Sequence, residues 1–149
     1  MKTEVKVNDA EWQKLRKKFK TINKRYVTAG LHKEEAGSGT PNNVEKGIFN
    51  EFGTENIPAR PFISATAIKQ RKKWLEKIRL NLNLVLVNRI SPQQFLDNIG
   101  KTAAGDIKKY VIELSTPPNA PRTIAKKGFD DPLIETGEMR DAISHKARK

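Results

Sequence analysis

The amino-acid sequence predicts an α+β fold in which long antiparallel helices pack with a small antiparallel sheet and extended loops join the elements. Two stretches between residues 64 and 115 carry apolar residues three or four positions apart, which is the spacing of one helix face. A short segment rich in β-forming residues lies before this helical core, and a second short strand is predicted after it. At 149 residues, a single domain over residues 1–149 is the expectation.

The first predicted element is a basic helix over residues 9–22. Asn8 and Glu11 form a capping-box pattern at its start, which satisfies free backbone donors. Its apolar residues share one stripe, which we interpret as core: Trp12, Leu15, Phe19 and Ile22. Residues 26–32 follow as a short strand. The glycine-rich residues 34–40 are predicted to be a mobile surface loop, since they lack the Gly-Lys-Ser/Thr ending of a phosphate-binding loop.

A second helix of about three turns is predicted between Thr40 and Gly53, with Thr40 as its cap and Pro41 in its first turn. Its apolar stripe is formed by Val44, Ile48, Phe49 and Phe52. Two prolines in residues 57–62 forbid a helix there and favour a stiff, extended connector. Ser64 is the predicted cap of the next helix.

Residues 64–115 are predicted to form an antiparallel helical pair. An apolar stripe favours a helix over residues 64–88, although the alternating leucines of residues 80–86 also fit a strand. The stripe comprises Ile68, Trp74, Leu75, Ile78, Leu82 and Val85. Such a helix is about 40 Å long, enough to form the spine of the domain. A serine, a proline and a glutamine in residues 91–94 restart the helix. The second stripe then comprises Phe95, Ile99, Ala103, Ile107, Val111 and Leu114.

The proline-rich residues 116–121 end the second helix, and residues 117–131 are predicted to be a loop without secondary structure. Loops of this length are usually functional or disordered, so we interpret this segment as an assembly arm that orders against a neighbour. Deletion of residues 119–129 is expected to spare folding and abolish assembly. Residues 132–149 carry a turn and then a short strand.

The formal net charge of +12 and the pI near 10.0 predict attraction to polyanions, which include nucleic acid, an acidic membrane surface and an acidic partner protein. The charge alone does not choose among them, and solvated helix faces explain it equally well. If a basic helix face binds nucleic acid non-specifically, the candidate DNA-facing residues are Lys14, Lys17, Lys18, Lys69, Lys72 and Lys73.

Residues suited to catalysis or metal binding are sparse. The chain has no cysteine, which excludes disulfides and thiolate chemistry. His32 and His145 do not have metal-ligand spacing. A metal-dependent nuclease using Asp130, Asp131 and Glu135 is the enzymatic alternative, but its spacing matches no nuclease signature. We therefore predict no enzyme activity, cofactor or metal. With no long apolar run, a soluble protein made in a cytoplasm and free of membranes is expected.

Two sequence blocks carry a resemblance to a known class of proteins. The first is Asn-Glu-Phe-Gly-Thr at residues 50–54 with Ile-Pro-Ala-Arg-Pro-Phe at residues 57–62. The second runs from Asn119-Ala120-Pro121 through Thr123, Lys127-Gly128 and residues 132–137 to Met139, Arg140 and Ile143. In this order, and separated by two helical segments, the blocks resemble the neck, tail-completion and virion-morphogenesis proteins of tailed phages and prophages. Glu135 stands where such proteins more often have aspartate.

The resemblance covers residue 26 to the C-terminus and implies a structural, non-enzymatic protein of the head–tail junction. It implies a homo-oligomeric ring that contacts other junction or tail proteins, and that encloses the passage used by DNA. The expected location is the virion, at the neck or the top of the tail, and the host cytoplasm during assembly.

The two blocks supply the candidate partner-interface residues. A glycine-terminated helix followed by a proline-braced connector presents apolar side chains with little entropy left to lose on binding. An equally open interpretation is that Phe52 and Phe62 only seal the core. Arg60 is expected to project stiffly and to pair with an acid of a neighbour, or with Glu51 or Glu55. The candidates are Phe52, Gly53, Ile57, Pro58, Arg60, Pro61, Phe62, Pro121, Thr123, Lys127, Gly128, Pro132, Leu133, Thr136, Gly137 and Arg140.

Overall fold

A computed structural model describes residues 9–148, which form six α-helices and one two-stranded antiparallel sheet. This confirms the predicted α+β class. Asn8, the predicted cap of the first helix, lies outside the described residues. In chain order the elements are α1 (Asp9–Asn23), β1 (Tyr26–Leu31), a 3₁₀ turn (Lys33–Glu35), α2 (Asn43–Phe52), α3 (Ile63–Leu86), α4 (Pro92–Glu113), α5 (Pro121–Lys127), α6 (Glu138–Asp141) and β2 (Ile143–Arg148).

Helices α3 and α4 form the predicted antiparallel pair. Near the end of α3, the Asn81 Oδ1 accepts a hydrogen bond of 2.8 Å from the Asn98 Nδ2. Nearer its start, the Trp74 Nε1 donates to the Asp106 Oδ2 at 2.8 Å. The residue number of the partner on α4 therefore increases as the residue number on α3 decreases, as expected for antiparallel helices. These side-chain bonds fix the register of the two helices, which apolar packing alone leaves less specified.

Helix α4 is the spine of the domain, and the prediction that the preceding helix has this role is wrong. Seven residues of α4 are buried, compared with three of α3. The reason is that α3 covers one side of α4 and the sheet covers another. Ile68 and Leu75 of the predicted α3 stripe are instead exposed to solvent. The buried residues of α4 are Phe95, Leu96, Gly100, Ala103, Ala104, Ile107 and Val111.

The sheet lies directly against α4. Its register pairs Tyr26 with Arg148 at one end and Leu31 with Ile143 at the other, which confirms both predicted strands. At Gly100 of α4, an added Cβ atom would lie 2.5 Å from the His145 side chain and 2.6 Å from that of Val27. A two-stranded sheet is only marginally stable by itself, so this close contact with α4 stabilises it.

The starts of α2 and α3 differ from the predictions, and the start of α4 agrees with its prediction. Helix α2 begins at Asn43 with Asn42 as its cap, not at Pro41 with Thr40 as its cap, because Asn42 forms a reciprocal capping box with Glu45. The Asn42 Oδ1 accepts from the backbone N–H of Glu45 at 3.1 Å, and the Asn42 N–H donates to the Glu45 Oε2 at 2.8 Å. The predicted Ser91 capping box at the start of α4 is confirmed.

The start of α3 is capped from another helix. Its N-terminal N–H groups, on Ile63 and Ser64, both donate to the carboxylate of Glu51 at 2.9 Å, and the Ser64 hydroxyl donates to it at 2.6 Å. Ser64 is therefore a donor to this cap and not the predicted cap itself. Since Glu51 belongs to α2, this bond also fixes α2 against α3.

The interpretation of the α1 stripe as core is wrong. Trp12 is 53% exposed and Phe19 is 43% exposed, and none of the described residues of α1 is buried. Only Ile22, at the end of the helix, packs against the cluster around Val85. The Lys18 ammonium anchors the helix midway, since it donates to the Val85 carbonyl at 3.2 Å. One face of α1 therefore carries exposed aromatic surface.

Residues 117–131 contain helix α5, so the prediction that they lack secondary structure is wrong. Pro121 occupies the first turn, and Gly128 ends the helix in the left-handed conformation with φ 81°, a Pro-start and Gly-end pattern. The Asn119 N–H donates to the Asp130 Oδ1 at 2.8 Å, which brings the two ends of the segment together. The segment is thus a closed loop and not an extended arm.

Candidate functional site

The two sequence blocks meet in one groove of about 570 Å³. The connector after α2 forms one wall, and α5 with the segment leading into α6 forms the other. The blocks are far apart in sequence, and α3 and α4 lie between them. The predicted interface residues that line the groove are Ile57, Pro58, Arg60, Thr123, Lys127, Pro132, Leu133, Thr136 and Gly137.

Arg60 joins the two walls. Its side chain is buried, with the residue only 4% exposed, and its Nε and Nη2 donate to the carbonyls of Pro117 and Pro118, both at 2.7 Å. The prediction that it projects and pairs with a carboxylate, either from a neighbour or from Glu51 or Glu55, is wrong. Burial lowers the pKa of the guanidinium, and nearby Asp130 opposes this effect. Arg60 therefore positions the groove.

The floor of the groove belongs to the hydrophobic core. Leu133 and Met139 are buried there and cluster with Phe62, Ile107 and Val111. Phe62 is fully buried at 0% exposure, so it seals the core and has no surface to offer a partner. Its assignment as an interface residue is corrected accordingly, and Leu133 contributes only the 6% that remains exposed.

Phe52 has the opposite environment, since it ends α2 with 77% of its surface exposed. Gly53 follows with φ 76°, and a Cβ atom there would lie 2.9 Å from the Ala59 backbone nitrogen. Only glycine fits this turn, which directs the connector back toward α2. The remaining candidates lie outside the groove lining: Pro61 is exposed, Pro121 and Gly128 bound α5, and Arg140 donates to Asp141.

Arg140 and Asp141 of α6 form a pair in which each side chain shifts the pKa of the other. The Arg140 Nε donates to the Asp141 Oδ1 at 2.8 Å. This hydrogen bond raises the pKa of Arg140 and lowers the pKa of Asp141. Arg140 is thus engaged within its own helix.

Several lining residues were missed by the sequence predictions. Lys46 and Asn50 come from α2, and Asn119 and Glu138 come from the second block. The four-residue spacing of Lys46 and Asn50 places them on one helix face, but the sequence does not indicate which part of the protein that face packs against. The Asn119 Nδ2 is buried and has no hydrogen-bond partner within residues 9–148.

The six candidate DNA-facing lysines fall into two groups. Lys14, Lys17 and Lys18 border a second groove beside α1, and Lys18 also contacts Asn88. Lys69, Lys72 and Lys73 lie toward the start of α3. Lys18 of the first group donates to the carbonyl of Val85, and Val85 lies about 18 Å from Lys73 along α3. The six lysines therefore do not form one compact patch.

The second lysine group is partly engaged within the chain. The Lys69 ammonium lies 5.5 Å from the centre of the Tyr110 ring. The Lys73 Nζ is 2.5 Å from the Asp106 Oδ1. Lys72 is exposed.

The histidines hold structural positions. The His32 ring nitrogens hydrogen-bond the hydroxyls of Thr28 and Ser144, both at 2.9 Å. His145 packs against Gly100. Within residues 9–148, no three His, Asp or Glu side chains are grouped so that they could hold a metal ion.

Comparisons with known proteins found no family model, no curated protein and no solved structure that matches this chain. None of the helices in the described part of the chain combines the length and the apolar character needed to cross a bilayer.

Proposed function

We propose that this chain is a structural protein of the head–tail junction of a tailed phage, of the neck, tail-completion or tail-terminator kind. It works by forming a ring and by contacting neighbouring junction or tail proteins, without making or breaking covalent bonds. The observation that supports this most is the convergence of the two resemblance blocks in a single groove, although α3 and α4 separate them in the sequence.

The groove has the character of a protein-binding surface. Its lining includes apolar side chains, such as Ile57 in one wall and Met139 in the floor, and polar side chains, such as Lys46 and Asn50. An apolar centre with a polar rim is the usual anatomy of an interface. The Arg60 bonds and the prolines hold the walls in place before binding, which lowers the entropy lost on association.

A substitution in the groove tests this function in the phage that encodes the chain. Thr123 is exposed and lines the groove, so Thr123→Arg should leave the fold intact and block partner docking. We expect heads and tails that fail to join, seen by electron microscopy, and a loss of infectious titre. Asn83→Arg adds the same charge at an exposed position of α3 and should leave the titre unchanged. Normal particles from the Thr123→Arg phage would contradict the proposal.

Non-specific binding of nucleic acid is a second candidate, which one surface favours. From residue 69 to residue 79, the exposed side of α3 carries six basic residues and one acid. The two functions are compatible, because a junction ring encloses the DNA passage. A phosphate binder loses affinity steeply as salt rises, so we would measure duplex binding by fluorescence anisotropy across a salt series. The residues are Lys69, Arg71, Lys72, Lys73, Lys77, Arg79 and the acid Glu76.

A further inference from the structure

The groove beside α1 combines apolar surface with positive charge. It encloses about 900 Å³ between α1 and the turn from α3 to α4. Trp12, Leu15 and Leu86 supply apolar lining. The charged lining residues are three lysines and one acid: Lys14, Lys17, Lys18 and Glu11. More than half of the Trp12 surface is exposed. A large aromatic side chain next to lysines is a typical anchor for an acidic, partly apolar partner.

The chain itself contains a segment with the complementary character. Residues 128–138 hold four acids and neither lysine nor arginine, in a protein whose net charge is +12. Within the described residues, the carboxylates of Asp131, Glu135 and Glu138 make no hydrogen bond or ion pair. Phe129 is 40% exposed in the same segment, and the Lys127 ammonium lies 4.9 Å from the centre of its ring. This segment thus offers an aromatic side chain next to unpaired negative charge.

The groove and the segment lie at opposite ends of the domain and do not meet within one molecule. Pro92, at the start of α4, lines the α1 groove. Leu133 and Met139 of the acidic segment pack beside Ile107, near the other end of α4. Fifteen residues of helix separate Pro92 from Ile107, which is about 22 Å. Only a second copy of the chain can bring the two surfaces together.

We propose that residues 128–138 of one copy, the acidic segment, dock in the α1 groove of the next copy. The two surfaces differ, so the contact is heterologous, and each added copy leaves one groove and one segment free. Repetition of such a contact closes into a ring if the rotation between copies allows it. This inference rests on the proposed function for the ring and names the surfaces that build it.

Charge reversal on each surface tests the contact, with self-association followed by analytical ultracentrifugation at low salt. Lys14→Glu with Lys17→Glu should weaken association about tenfold or more, and so should Asp131→Lys with Glu135→Lys. All four substituted side chains are exposed, so the substitutions should not disturb the fold. Circular dichroism would verify this. Raising the salt concentration should weaken the wild-type association as well.

Mixing the two defective variants gives the sharper result. The groove variant keeps an intact segment and the segment variant keeps an intact groove, so one productive contact remains between them. The mixture should form 1:1 dimers and nothing larger. A chain that carries all four reversals should regain self-association, because the charges are complementary again.

The matched control is Lys72→Glu with Lys77→Glu, which changes the net charge equally on exposed positions of α3. It should associate like the wild type. Three results would each overturn the contact. The control could weaken self-association as much as the charge reversals do, the mixture could form no dimers, or the wild-type chain could be monomeric at low salt. A groove variant that loses only affinity for duplex DNA would overturn it as well. Rings that survive both reversals would refute the contact and leave the proposed function standing, which the Thr123→Arg phage tests separately, at a position outside the acidic segment.

Discussion

At the residue scale, Arg60 holds the connector after α2 to the start of the proline-rich segment. Its guanidinium donates to two consecutive carbonyls, of Pro117 and Pro118, and a planar fork of donors suits this geometry. These carbonyls belong to residues whose backbone nitrogens cannot donate. The two proline carbonyls are therefore held by a charged side chain, that of Arg60, which lies 57 residues before Pro117 in the sequence.

Arg60→Lys should destabilise the protein by about 2 kcal/mol, because a lysine cannot reach both carbonyls and one hydrogen bond from the charged side chain is lost. Urea unfolding followed by circular dichroism would measure the loss. Arg140→Lys is the control, since Arg140 makes a partly exposed bond to a neighbouring side chain and should change stability by less than about 0.5 kcal/mol. An Arg60→Lys protein as stable as the wild type would show that the two bonds contribute little.

Two glycines of α4 have opposite environments. A Cβ atom at Gly100 would lie within 2.8 Å of three atoms of the sheet, whereas one at Gly105 would meet nothing within 4 Å. Gly100→Ala should therefore cost about 1–3 kcal/mol through overpacking. Gly105→Ala should stabilise the helix by up to about 1 kcal/mol.

Thermal unfolding of the two glycine variants would give the comparison directly. Both substitutions add the same methyl group to the same helix, so helix propensity cancels between them. If both variants gained stability, the sheet could not lie as close to α4 as the structure places it.

At the element scale, a polar cluster fastens the 3₁₀ turn to the sheet. The Lys146 Nζ lies 3.1 Å from the Glu34 Oε2, and the Arg148 Nη2 lies 3.3 Å from the Glu34 Oε1. The Ser144 hydroxyl donates to Glu35 and hydrogen-bonds His32. A hydrogen bond from its own backbone, followed by Lys146, lowers the pKa of Glu34 from 4.5 to about 2. The Ser144 bond lowers the pKa of Glu35.

These shifts predict a loss of stability in acid. The folded chain holds these protons more weakly than the unfolded chain, so the contribution of Glu34 is complete above pH 4.5 and is lost as the pH falls toward about 2. The unfolding temperature of wild type should fall more between about pH 6 and about pH 3 than that of Glu34→Gln. Glu55→Gln, at an exposed position in the connector, should behave like wild type. An equal fall in Glu34→Gln and wild type would refute the prediction.

The Glu51 cap shows how one helix depends on another. Free N–H groups at the start of α3 carry partial positive charge, and a carboxylate is a favourable partner for them. Because Glu51 also ends α2, the two helices and the connector between them form one closed unit. This unit presents the first resemblance block to the groove.

At the scale of the whole molecule, charge and exposed apolar surface are unevenly distributed. The basic residues of α1 lie at one end of α4, and the acidic residues 128–138 lie near the other. Phe52 and Trp12 expose aromatic surface in separate regions. A protein arranged in this way suits the proposed role as a repeated unit between different neighbours.

The loop around α5 remains the predicted assembly element, although it is folded. Helix α5 contains no buried residue, and the Asn119–Asp130 bond brings the ends of the loop together. Deletion of residues 119–129 should therefore leave the unfolding midpoint of the remaining chain almost unchanged. It should abolish particle assembly, since it removes Thr123 and Lys127 from the groove and Phe129 from the acidic segment. Infectious particles from the deleted chain would refute the role of the loop.

Local patterns of the sequence determined several elements by themselves. The spacing of apolar residues and the Ser91 capping box defined α4, and the β-forming residues 26–32 defined β1. Each of these signals involves residues at most a few positions apart, so the chain carries them before any tertiary contact forms. The two blocks were likewise visible as candidates for one interface.

Only the tertiary structure decided which surfaces are buried and which side chains meet. The stripes on α1 and α4 have similar spacing, yet α4 is enclosed by α3 and the sheet, while α1 has neighbours on too few sides to be covered. The partners of Arg60 and Glu51 were hidden for the same reason. Hydrogen bonds between residues distant in sequence depend on how whole elements pack, and no periodicity within one element records that packing.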